Sequence, residues 1–234
     1  MEQRESTMVV DARIHSDQAI DGVYLETLSP DGHIHPDPIS DAEVLVTYDE
    51  RSFMLEEVDG EPGRYYDPTA TIIQAETEVS MSIRWRDQDI NANTAVPPLL
   101  TELEVTKDFL ESLAADDILF LDWENLNTGS FNEWVYVIET VPLGDLEDLQ
   151  PISDMEPSPD GRNLKLSYNS EGVLTIHDFD YLGEHVVRIL AVHREYEVLF
   201  QPQADYSTNG PGNIQGGVGQ FIGVSVLETR VDIR

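Results

Sequence analysis

The feature that most constrains the fold of this chain is a hydrophobic period of two. In Glu78-Val79-Ser80-Met81-Ser82-Ile83-Arg84-Trp85 every second residue is apolar, so Val79, Met81, Ile83 and Trp85 share one face. That is the pattern of a strand with one face buried and one in water. Val23-Tyr24-Leu25-Glu26-Thr27-Leu28 and Glu43-Val44-Leu45-Val46-Thr47-Tyr48 read the same way. Ser52-Phe53-Met54-Leu55-Glu56-Glu57-Val58 follows a short polar turn, which predicts a hairpin. Asp59-Gly60-Glu61-Pro62-Gly63 is a turn cluster, after which Arg64-Tyr65-Tyr66 resumes a strand. Short strands at this spacing suit antiparallel sandwiches.

The expected architecture is therefore all-β with a minor helix, in two antiparallel β-sandwich domains. The run Asn-Ala-Asn-Thr-Ala-Val-Pro-Pro at 91–98 reads as a linker, because paired prolines stop a sheet ladder. It divides an N-terminal sandwich, 1–95, from a C-terminal β-rich domain, 96–234. In the second domain, strands are predicted over 99–105, 118–123, 134–141, 163–168 and 173–177. Residues 106–117 are the best helix candidate, with Phe109, Leu110 and Leu113 at helical spacing and Thr106 as N-cap. Residues 185–200 suit a helix that gives way to a strand near Glu195. Residues 143–162, rich in Pro, Asp and Gly, read as a long loop.

Charge narrows the partners. The 13 Lys and Arg face 46 Asp and Glu, a net charge of −33. Nucleic acid would need a basic footprint, and an anionic membrane surface would repel this chain. The acid is diffuse: residues 1–97 carry 21 acids and 6 bases, and residues 98–234 carry 25 and 7. Only Lys107 and Lys165 are lysines. Diffuse acid with almost no Lys reads as adaptation to high salt, which screens the self-repulsion. The absence of Cys excludes disulfides and thiolate metal sites. No apolar run approaches the roughly 20 residues of a membrane span. Met1-Glu2-Gln3-Arg4-Glu5 is polar, unlike a signal peptide, so the chain is either cytoplasmic or an exported protein whose signal has been removed.

Several groupings could carry chemistry. His33 and His35 would share one strand face and could bind zinc, although Pro and Gly on both sides suggest a solvated loop. Asp31, Asp37 and Asp41 in the same stretch offer hard oxygen ligands for Ca2+, without the spacing of an EF-hand. His177 and Asp178 could seed an acid–base pair, but no nucleophile elbow accompanies them. Trp123, Trp134, Tyr136 and Tyr168 read as core aromatics before they read as a sugar-stacking platform. With an acid about every five residues, paired carboxylates say nothing about glycoside hydrolysis.

The least ordinary segment is 209–223, with six glycines in fifteen residues. It lacks the Lys-Ser/Thr of a P-loop and the Rossmann glycine spacing. It reads as a loop needing positive φ, followed by a strand that another backbone approaches closely. Within it, Asn213, Ile214, Gly216, Gly217, Gly219 and Phe221 form Asn-Ile-x-Gly-Gly-x-Gly-x-Phe. This resembles the C-terminal signature of an uncharacterised family of Bacteroidota outer-membrane lipoproteins, a domain of unknown function. Met8-Val9-Val10-Asp11-Ala12 is similar to that family's opening strand. Ile39-Ser40-Asp41-Ala42-Glu43-Val44 and Gly63-Arg64-Tyr65-Tyr66 are similar to strands of its first, carboxypeptidase-regulatory or immunoglobulin-like sandwich. Val96-Pro97-Pro98 falls where the family passes to its second half.

The resemblance implies export, a lipid anchor on an N-terminal Cys, and an address in the outer membrane or at the cell surface, with the periplasm as the alternative. It implies association with TonB-dependent outer-membrane transporters; apart from the resemblance, no cofactor is expected, with Ca2+ as the alternative. It brings no catalytic residue to this sequence. The expected function is a non-catalytic binding or accessory component beside such a transporter. The alternatives are a carbohydrate- or Ca2+-binding surface module and, after it, a hydrolase.

Overall fold

The structure, a computed structural model, describes residues 7–28, 37–111, 117–125, 133–153, 157–200 and 213–234. Strands dominate, and the helical pieces are short 3-10 turns, so the fold is all-β. The chain divides into two compact units, with one division falling between Pro97 and Pro98.

The first unit contains β1 (Thr7–His15), β2 (Val23–Leu28), β3 (Asp37–Pro38), β4 (Glu43–Tyr48), β5 (Arg51–Glu57), β6 (Arg64–Tyr66), β7 (Glu78–Trp85) and β8 (Gln88–Ala95). Its pairing runs β1-β2-β6-β5-β4-β7-β8, antiparallel throughout. The alternation read from the sequence in β4 and β7 fills its core with Val44, Val46, Val79, Met81 and Ile83, and Met8, Val10, Ala12 and Ile14 of β1 are buried in the same core. Tyr65 is buried too, and its hydroxyl donates to the Ile39 carbonyl at 2.9 Å.

The second unit contains β9 (Leu100–Val105), β10 (Phe109–Leu110), β11 (Ile118–Asn125), β12 (Trp134–Pro142), β13 (Asn163–Ser167), β14 (Glu171–Thr175) and β15 (Gly183–His193). β14-β11-β9 form a three-stranded sheet, and β13-β12-β15 form part of a second. Leu119, Leu121 and Trp123 from the first meet Tyr136, Ile138, Val187 and Ile189 from the second in one core.

Two strands near the end of the chain, the two-residue β16 (Ile214–Gln215) and the sixteen-residue β17 (Val218–Ile233), complete both units. Residues 218–224 run parallel to β1, and β16 pairs with β8, within the first unit. Residues 225–233 of the same strand pair antiparallel with β15 in the second unit. The units are thus not the successive blocks 1–95 and 96–234. The segment before Val224 returns to the first unit because the edges of β1 and β8 need partners for their backbone groups.

Three local expectations are corrected. Residues 91–95 are strand, not linker: Ala92 and Thr94 are buried while Asn91 and Asn93 are exposed, a period of two written in small and polar residues. The described part of 106–117 is not helical, since Phe109 and Leu110 pair with Asp232 and Ile233. The order at 185–200 is reversed: Gly183–His193 is strand and Arg194–Phe200 is a 3-10 helix. Val186, Val187, Ile189, Leu190, Ala191 and Val192 are buried on both faces of β15, so no alternation shows, and β-branched residues favour the strand.

Candidate functional site

The glycine-rich signature is architectural. Asn213 acts as a clamp: its side-chain amide donates to the carbonyls of Asn93 and Phe221, and its oxygen accepts from the Phe221 amide at 3.0 Å. One side chain thereby ties the start of β17 to β8. Ile214 packs on the core, and Phe221 is fully buried in it. Gly219 has φ +112°, and a Cβ there would lie 1.9 Å from the Val10 carbonyl oxygen. Gly216 has φ +90°, and a Cβ would stand 2.6 Å from the Asp89 oxygen. The positive φ and the close backbone approach expected of this segment are both present.

The other candidates fare differently. Asp31, His33 and His35 lie outside the described residues. Asp37 is exposed in β3, and Asp41 is exposed with φ +62°. Among the described residues no group of three or more His, Cys, Asp or Glu could hold a metal ion. His177 and Asp178 belong to a 3-10 turn, and Asp178 is engaged there. Its carboxylate accepts from the Thr175 amide at 2.8 Å and forms an ion pair with Lys165 at 3.1 Å. Trp123 and Tyr136 meet edge to face at 5.2 Å within the core, and Trp134 is buried. Tyr168 departs from the core expectation: it is exposed, its hydroxyl donates to Glu197 and its ring lies under Arg194.

Two concavities stand out among the described residues. In the first unit a cavity of about 490 Å3 is lined by Ile20, Asp21, Val58, Arg64, Tyr66 and Asp67, among others. Its polar groups are largely occupied by local structure. Arg64 donates to the Asp21 carbonyl and pairs with Glu61 at 2.8 Å. Asp67 is buried, which pushes its carboxyl up, but hydrogen bonds from Thr69 and Thr71 outweigh this and hold it below the ordinary carboxylate value.

In the second unit a groove of about 390 Å3 runs beside β14. Phe120, Ile138, Leu166 and Val173 give it apolar surface, and Asp122, Asn169 and Glu171 give it a polar rim. Phe120 is 47% exposed, unusual for so large an apolar side chain in mid-strand. Lys165 also lines the groove, but its ammonium is committed to the Val173 carbonyl and both oxygens of Asp178. Ser167 donates to the Glu171 and Asn169 carbonyls. Side chains of β13 thus cap the free edge of β14, and among the described residues no base pairs with the groove's carboxylates. Apolar walls with few polar groups are the usual make-up of a recognition site. Sequence reasoning missed this groove because Phe120, Asp122, Leu166 and Glu171 come from three strands whose register alone brings them together.

No protein-family model and no curated protein matches this chain.

Proposed function

We propose that this chain is a non-catalytic binding protein of the cell envelope, acting beside an outer-membrane transporter in a high-salt medium. The observation that carries the reading is the groove of the second unit. Its walls offer hydrophobic contact and its rim offers carboxylates with no ion pair among the described residues, which suits recognition of another molecule. The architectural role of the glycine-rich segment supports the same reading, because the most distinctive motif is spent on folding. Export and a lipid anchor follow from the resemblance of that motif to the outer-membrane lipoprotein family. The diffuse −33 charge supports a salty milieu.

The test is capture from native membranes at molar KCl, with the full chain cross-linked in place and its partners identified by mass. Recovery of an outer-membrane transporter is the expected outcome. Recovery of no envelope protein would refute the reading.

A further inference from the structure

Three rows of charged residues cross three adjacent strands in direct register, and they differ at one position. In the first unit the row is Glu43–Arg84–Asp89 across β4, β7 and β8. Arg84 pairs with both flanking acids, at 3.8 and 3.1 Å. In the second unit one row is Glu139–Arg188–Glu228 across β12, β15 and β17. Arg188 pairs with both, at 3.1 and 3.5 Å. The remaining row is Glu104–Asp122–Glu171 across β9, β11 and β14. An acid occupies the centre where the other two rows place arginine.

Directly opposed residues of antiparallel strands share a face, and like charges there repel. Glu104, Asp122 and Glu171 are all exposed, and no ion pair to any of them is present among the described residues. Lys165, the base that lines the groove, is engaged by the Val173 carbonyl and both Asp178 carboxylate oxygens. Beside this row stand Ile118, Phe120 and Val173, each more than a third exposed. Phe120 and Val173 are themselves cross-strand partners, one step along from the Asp122–Glu171 pair. The face therefore presents an apolar strip and, next to it, an acid row that lacks its central cation.

We infer that this face binds a polypeptide segment carrying an arginine or lysine between aliphatic side chains. The cation takes the place that Arg84 and Arg188 hold in the complete rows. Its aliphatic stem and its neighbours cover Phe120, Val173 and Leu166. The inference rests on the proposed binding function and names the chemistry of its partner. A divalent metal fits less well, since the described carboxylates do not converge on one point.

The experiment is calorimetric titration of the full chain with blocked short peptides in about 1 M KCl, where the screening length falls to about 3 Å and diffuse attraction to the acidic surface is suppressed. A peptide of alternating arginine and valine is expected to bind with one-to-one stoichiometry. Its glutamate–valine and arginine–serine counterparts are expected not to bind. Asp122→Asn with Glu171→Gln, and separately Phe120→Ser, should each weaken binding by about tenfold or more. The control pair Glu56→Gln with Glu78→Gln, exposed acids of the first unit, should leave it unchanged. Asp122→Arg gives a second readout: it supplies the missing cation from within, so it should raise the melting temperature and abolish peptide binding.

Equal losses in the groove and control variants would overturn the inference. So would an Asp122→Arg chain that binds as well as the parent, or displacement of the peptide by millimolar Ca2+ or by a neutral oligosaccharide. Membrane capture that survives the groove variants would leave the binding function standing and refute this face as its site. Peptide binding without any captured envelope protein would do the reverse.

Discussion

Replacing Gly219 by alanine separates backbone strain from close approach. A Cβ at this position would lie 1.9 Å from the Val10 carbonyl oxygen, where ordinary contact begins at 3.4 Å. β17 would have to retreat from β1 by more than about 1 Å, enough to break the adjoining ladder bonds. Holding a non-glycine residue at φ +112° costs about 1–3 kcal/mol. Losing two ladder bonds adds about 0.5–1.5 kcal/mol each. The expected destabilisation is about 2–6 kcal/mol, a large share of the roughly 5–15 kcal/mol that holds a domain folded. Gly60 is the internal reference: its φ is +83° and a Cβ there meets nothing within 4 Å, so Gly60→Ala incurs strain alone. Both variants should be unfolded in urea at molar KCl, with midpoints compared at equal slope. Gly219→Ala should fall below Gly60→Ala by about 1–3 kcal/mol, the share due to the lost ladder bonds. A difference under about 0.5 kcal/mol would refute the close approach of the two backbones.

Three further outcomes are expected. Asn213→Ala should cost about 2–4 kcal/mol, because three hydrogen bonds go and the Phe221 backbone loses its partner; calorimetric melting checks it, and a neutral result would contradict the clamp. Burial lowers the His185 and His15 imidazoles below the ordinary 6.5; the Gly183 carbonyl and then Asp180 and Asp232 oppose it more weakly at His185, and Asp21 does so at His15. The unfolded chain then binds more protons, so stability is full above pH 6.5 and falls as pH drops below it; His185→Phe should flatten that slope in denaturant midpoints taken across pH, whatever its effect on absolute stability. The melting temperature should rise from dilute buffer to molar KCl as salt screens the −33 charge, and a flat profile would remove the high-salt reading.

Much of the fold was legible because period-two alternation marks any strand with one wet face, as in β2, β4 and β7. β15 was not legible, since burial on both faces erases the alternation that would identify it. β8 was obscured because its inward positions are Ala92 and Thr94, too small and too polar to stand out between asparagines. The interleaving of the units was invisible for a different reason: pairing Val10 with Gly219 is a long-range choice that no local pattern encodes. The glycines did signal it indirectly, as positions where another backbone must come close. The acid row in the second unit was hidden in composition. With carboxylates everywhere, only the register of Glu104, Asp122 and Glu171 distinguishes three aligned acids from three scattered ones.

Amide hydrogen exchange on the full chain at molar KCl tests the central claim most directly, that the glycine-rich segment is a structural strand of the first unit. The amides of residues 218–224 should share the slow exchange of residues 9–15, their parallel partners, and residues 225–233 should follow residues 183–191. Exchange of 213–224 at the rate of a free tail, with 9–15 still protected, would contradict it.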